Sequence, residues 1–357
     1  MFRRAAAVVA ACVMLTLAGC GGSKTGGDVN DDVPAAENGE PQEAAASGQT
    51  LWATILGGGS LSGLDTGSGK RVNTGLVQVA PVGTNVKHMV AAEGKVWIGL
   101  SNGKLLVADG KTGAIVETLE FDAKDYGIEE MAVGGGSAYV AYAGPTLVRI
   151  DATTYEKAKQ APVVGPIHDC DGMLVDGGTL WVLQGNGFAL IKADASTLAV
   201  RDSVRIGSHP SDPTGPFKAL YGHGTMTQVG GNVWVFDRAS YTLIRVDKAT
   251  MKPTRVAALK DITVHTSVRL AANADSFFVS ISDDDGAKVV RYDGATGEAR
   301  KTYEFGPGAA RSLAVTGDRL YVTSDEFGRD VLQVDIQSGQ TVKTFANIGA
   351  TLIALAA

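Results

Sequence analysis

From residue 51 onward this chain repeats one pattern seven times, and few features restrict a fold as tightly as that. The first marker is an aromatic residue in a short apolar strand: Trp52, Trp97, Tyr139, Trp181, Trp234, Phe278 and Tyr321. Successive markers are 45, 42, 42, 53, 44 and 43 residues apart. The second marker, an aspartate, follows each aromatic by 12 to 15 residues: Asp65, Asp109, Asp151, Asp194, Asp247, Asp293 and Asp335. Most of these open a turn with Thr, Ser or Gly just behind, as in Asp109-Gly-Lys-Thr-Gly113. An aspartate at such a turn accepts backbone N–H groups two residues on, so its recurrence is structural rather than catalytic.

Each unit reads as four short strands, A to D. In the second, these are Met89–Ala92, Lys95–Leu100, Lys104–Ala108 and Ala114–Phe121, with Ser101-Asn102-Gly103 turning B into C. Apolar residues alternate with period 2 and no helical run intervenes, so every element belongs to a sheet. Four strands in a repeat of this length make one propeller blade. The expected fold is therefore all-β: a seven-bladed β-propeller of four-stranded antiparallel blades over residues 50–357. The first unit begins at Thr50 with strand B, and Thr351–Ala357 reads as a leftover strand A. Joining the two closes the ring and removes its open edges.

Ahead of the repeat lie two other units. Arg3 and Arg4 precede the apolar run Ala5–Leu17, which is too short to span a bilayer, and Leu17-Ala18-Gly19-Cys20 follows. That tetrapeptide resembles the lipobox of bacterial lipoproteins, which implies that residues 1–19 are a signal peptide and that Cys20 carries the lipid. Residues 20–49 are rich in Gly, Ser, Ala, Asp and Glu with no apolar period, the composition of an acidic disordered tether. Such a tether would reach roughly 30 Å as a random coil. With Cys12 removed and Cys20 acylated, Cys170 stands alone, so no intramolecular disulfide is expected in the mature domain.

Aromatic-Val strands followed by an apolar-Asp-x-x-Thr-Gly turn are similar to the YVTN-type propeller repeats of bacterial surface proteins. Tyr321-Val322-Thr323-Ser324, with Asp335-Ile-Gln-Ser-Gly339 behind it, is the copy nearest that motif; Trp97-Ile-Gly and Phe278-Val-Ser depart from it. The Trp that ends strand D in quinoprotein-like propellers is missing, as is the Trp-Asp pair of WD repeats. Outer-membrane assembly lipoproteins join a similar anchor to a propeller, which implies an extracytoplasmic, lipid-anchored scaffold. In a two-membrane cell this would be the periplasmic face of the outer membrane. In a single-membrane cell it would be the outer leaflet of the cytoplasmic membrane.

Candidate site residues gather where strands A begin. His88, His168, His223 and His265 fall just ahead of predicted strands A, and other blades carry Glu129, Glu130, Asp169, Cys170, Asp171, Arg269 and Arg311 there. Strand A lines the axis, so these groups would converge on one channel mouth as a ligand-binding funnel. His168, Cys170, His223 and His265 also form a dispersed set of ligands for copper or zinc, without the tight spacing of a dedicated metal site. Residues 207–224 lengthen the approach to the fifth blade; Phe217, Leu220 and Tyr221 could cover the funnel as a lid.

The net charge of −6 lacks the basic stripe that nucleic acid requires. There is no Gly-x-Ser-x-Gly elbow, phosphate loop or dinucleotide fingerprint, and no cofactor is implied. Consecutive His168, Asp169 and Cys170 point alternately along a strand and cannot form a triad among themselves. The expectation is a monomeric, non-enzymatic envelope lipoprotein. It would be held to the membrane by its lipid and bind a protein partner or small ligand. The alternative is an extracytoplasmic lyase or hydrolase using the His/Glu/Arg funnel.

Overall fold

The computed structural model describes residues 49–356. Within that range it leaves out 56–58, 73–76, 80–83, 123–126, 143–145, 163–169, 185–188, 207–224, 239, 260–265, 283–285, 308, 325–328 and 349. The segment expected to be a signal peptide, Cys20 and nearly all of the expected tether thus lie outside the described residues.

The described residues form twenty-eight strands, β1 to β28 in chain order, arranged in seven four-stranded antiparallel sheets. Six blades are built from consecutive strands, such as β4 (Val86–Ala92), β5 (Lys95–Leu100), β6 (Lys104–Asp109) and β7 (Ile115–Glu120). The seventh is made from both ends of the domain: β28 (Ala350–Ala356) pairs with β1 (Thr50–Ile55), followed by β2 (Ser60–Asp65) and β3 (Val77–Gln78). The expected closure is therefore present, with Trp52 opposite Ala354.

The innermost strands are β28, β4, β8 (Ile128–Gly134), β12 (Cys170–Asp176), β16 (Thr225–Val229), β20 (Ser267–Ala272) and β24 (Leu313–Thr316). Each touches the next in that order and β24 returns to β28, so they ring a common axis. No single centre holds the core. It is seven apolar layers, each shared by two adjacent blades. Burying one sheet face on the next is the only way a lone blade can hide its apolar surface.

The two sequence markers meet in these seams. Each marker Asp accepts the N–H of the third residue on at 2.6 to 2.8 Å. The fifth residue of each turn donates its N–H to the Asp carbonyl and has positive φ: Gly69, Gly113, Tyr155, Leu198, Met251, Gly297 and Gly339. The turn then packs on the preceding blade's aromatic. Trp52 donates its indole N–H to Gly110 O, and Trp234 to Gly294 O, both at 3.1 Å. A Cβ on Gly113 would stand 2.6 Å from the Trp52 ring, so that turn needs glycine for space as well as φ. Where the turn carries bulk instead, Tyr155 meets Trp97 edge-on at 6.2 Å and Met251 covers Trp181. There the Lys192 ammonium donates to Lys248 O, the carbonyl equivalent to Gly110 O. Among the described residues the Trp97 and Trp181 indole N–H groups have no hydrogen-bond partner.

Candidate functional site

Cross-strand pairing aligns the seven inner strands on one scale. One residue after each marker aromatic, strand B faces Ile353, Met89, Met131, Met173, Met226, Leu270 and Leu313. That level is apolar in every blade and holds four of the chain's seven methionines. Two residues after the marker, the facing positions are Leu352, His88, Glu130, Gly172, Thr225 and Arg269. Ser312 completes that level, its carbonyl accepting the Thr323 N–H at 3.3 Å. Seven blades present seven different residues there. The repeat is uniform one step away and dissolves at this level.

His88, Glu129, Glu130, Cys170 and Arg269 lie inside the inner strands, which corrects the expectation that they precede them. In three consecutive blades the register shifts once, between Val86 and His88, Ile128 and Glu130, and Cys170 and Gly172. Lys87, Glu129 and Asp171 are the extra residues of these β-bulges. An extra residue breaks period-2 alternation, so the pattern loses the strand although pairing continues through it. Arg311 does precede its strand, β24. His168, Asp169, His223, His265 and the 207–224 loop lie outside the described residues. Among the described residues no three His, Cys, Asp or Glu side chains gather around a common metal position.

Three predicted groups are brought together. His88 Nδ1 is 3.4 Å from Glu130 Oε1, with 28% and 18% of the side-chain surfaces accessible. Burial is the chief force on both. It lowers His88 to about 4, helped by the positive charges of Arg269 and Lys87 and opposed by a hydrogen bond with the Glu129 backbone. It raises Glu130 to about 8, opposed by the Met131 N–H, which donates to Oε1 at 3.0 Å, and by Arg269. Between those limits the pair holds one proton and no net charge, whichever partner carries it.

Arg269, on β20, is exposed. Desolvation by surrounding protein lowers its pKa, against the pull of Glu130 and with the push of Arg238. Its Nη1 donates to Val268 O at 3.0 Å. No carboxylate among the described residues lies within ion-pairing distance of it. Cys170 is half-buried with Sγ 3.7 Å from Gly172 O, and burial followed by the charge of Glu130 pushes its thiol well up, away from reactive thiolate.

Lys87 and Arg238 escaped the sequence reading. Lys87 stands on the bulge that ended the visible alternation. Arg238 follows β17 (Asn232–Asp237), and antiparallel pairing returns the end of strand B to the mouth where strand A begins.

A closed ring of seven four-stranded blades makes this chain a β-propeller. No protein-family model and no curated protein sequence matches it. Solved structures do. BamB from Moraxella catarrhalis superposes with a TM-score of 0.54 at 19% identity, covering 83% of this chain and 87% of that one. A functionally unknown protein from Desulfotomaculum acetoxidans gives 0.64 at 12% identity, with 86% and 98% covered. A chain of a mitotic checkpoint complex gives 0.60 at 10% identity, with 77% and 83% covered. Likeness at such identities concerns the fold.

Proposed function

We propose that this chain is a lipid-anchored, extracytoplasmic propeller of the YVTN kind that binds a partner at its axial mouth and catalyses no reaction. The observation that carries the reading is the inner-strand level at which the repeat stops repeating. Blade architecture explains uniform residues there, as it does one step away, but it does not explain Leu, His, Glu, Gly, Thr, Arg and Ser in one ring. Polar groups contributed by several blades at one axial level suit recognition. The lipobox-like Leu17-Ala18-Gly19-Cys20 supports the anchor, and a structural neighbour drawn from a mitotic checkpoint complex agrees with a protein partner. Photo-crosslinking residues placed at Thr225, on the axial level, and at Val116, on outer strand β7, test this in the native cell. Adducts should form from position 225 and not from 116; the reverse pattern refutes an axial site. Cys20→Ser should move the protein out of the membrane fraction.

The His88–Glu130 contact favours a second reading, an acid–base lyase or hydrolase, because the pair can give or take one proton near neutral pH. Turnover in a substrate screen, abolished by Glu130→Gln with an unchanged melting temperature, would establish it over the first.

A further inference from the structure

Building on the axial site just described, we propose that this level holds a carboxylate, with the Arg269 guanidinium as its charged anchor and the His88–Glu130 pair as its hydrogen-bonding partner. Arg269, Glu130 and His88 occupy the same register on β20, β8 and β4, each opposite the residue two beyond its blade's marker aromatic. They therefore ring the axis at one height. His88 and Glu130 are in contact at 3.4 Å, and the positive charge of Arg269 acts on both.

Charge selects the ligand class. An exposed guanidinium, with no carboxylate within ion-pairing distance among the described residues, presents a planar donor fork suited to a carboxylate. The His88–Glu130 pair adds no net charge near neutrality, so the three groups together carry one positive charge and match a monoanion. A cation would meet Arg269 with Lys87 and Arg238 close by. In its neutral form the pair can donate as well as accept. The adjoining level of Met89, Met131, Met173, Met226 and Leu270 packs into the apolar seams between blades and fixes the strands that carry the three groups. Ionisation of Glu130 would set a second carboxylate beside Arg269 and compete for it. Occupancy should therefore fall as pH rises through about 8.

The experiment uses the propeller with its native tether, and three probes: acetate, the tripeptide Ala-Ala-Ala, and the same tripeptide amidated at its C-terminus. Binding is followed by calorimetry, and Glu130 by carbon-13 NMR. Acetate and the free-acid tripeptide should bind saturably while the amide does not. Arg269→Gln should weaken binding by about tenfold or more, the worth of one charge-assisted hydrogen bond, and Arg269→Lys by less. The carboxylate should raise the titration midpoint of Glu130, and Glu130→Gln should abolish the loss of affinity above about pH 8. Binding of the tripeptide acid without acetate would assign the carboxylate to a chain terminus; binding of acetate as well would assign it to small acids. Equal binding of acid and amide, no saturable binding of any probe, or full affinity in a folded Arg269→Gln protein would overturn the proposal. Axial crosslinks that persist beside any of those results would leave the binding-propeller reading standing and remove only the carboxylate.

Discussion

The seams between blades and the axial level of the inner strands come from one repeat and use it in opposite ways. At the seams every blade contributes the same parts: a buried aromatic, an Asp-capped turn with a left-handed fifth residue, and an apolar layer shared with the neighbour. At the axial level every blade contributes something different. Redundancy holds the ring together, so a single level can lose its uniformity without loss of the fold. Where no packing demand enforces sameness, chemistry is free to vary.

The sharpest break of that comparison is removal of residues 350–357. It takes β28 from β1 and leaves that blade without the inner strand that every other blade possesses. The shortened chain should lose its cooperative thermal transition, whereas Arg269→Gln should leave the melting temperature nearly unchanged. An unchanged transition in the shortened chain would refute ring closure as the source of stability.

Acid should separate the two regions next. All seven turn carboxylates are held below their ordinary value of 3.8, six of them chiefly by the backbone N–H three residues on and Asp194 chiefly by the Ser196 hydroxyl. A depressed folded pKa gives stability that is complete above the unfolded value and is lost as pH falls through the folded one. Chemical denaturation at stepped pH should thus show seam stability falling below about 3.8.

The axial pair should respond at the other end of the scale. Unfolded, His88 titrates near 6.5 and Glu130 near 4.5; folded, the pair keeps one proton up to about 8. Between about 6.5 and 8 the folded protein binds the additional proton, so stability should decline with rising pH in that window. Glu130→Gln should flatten the decline.

Glycine substitutions sharpen the picture within the seams. Gly297 has φ +77° and a Cβ there would come 2.5 Å from the Trp234 ring, while Gly135 has φ +61° with open space around it. Ala at position 135 should cost about 1–2 kcal/mol for the left-handed backbone alone. Ala at 297 should cost more, by the strain of moving Trp234. Equal losses in denaturant titrations would show that the turn does not grip the indole. The smallest effect compares Trp52→Phe with Trp97→Phe. The first gives up the bond to Gly110 O, and the second removes an N–H that has no described partner. Their difference should be about 1 kcal/mol, with Trp97→Phe the milder.

Much of this was legible in the chain. The aromatic and Asp markers recur in phase because each turn must pack on the aromatic of the blade before it. That contact runs between blades, so the sequence showed the spacing without showing the partner. Strand ends were less legible. Val86–His88, Ile128–Glu130 and Cys170–Gly172 continue the inner strands through bulges, and the added residue disguises them as leading loops. His88, Glu130 and Arg269 could be named as candidates from their nearness to strands A. Their common height could not, because it depends on pairing with strands B.

What the amino-acid order decided alone is the number of blades, their strand content and the joining of the two ends. Those follow from local alternation, turn chemistry and a period that neighbouring copies must share to bury their faces. Which residues face one another around the axis was settled only in three dimensions. His88, Glu130 and Arg269 are separated by 42 and 139 positions in the chain and meet because register, bulges and ring closure set them at one level. No periodicity along the chain encodes a meeting across the ring; it arises when seven similar sheets close on themselves.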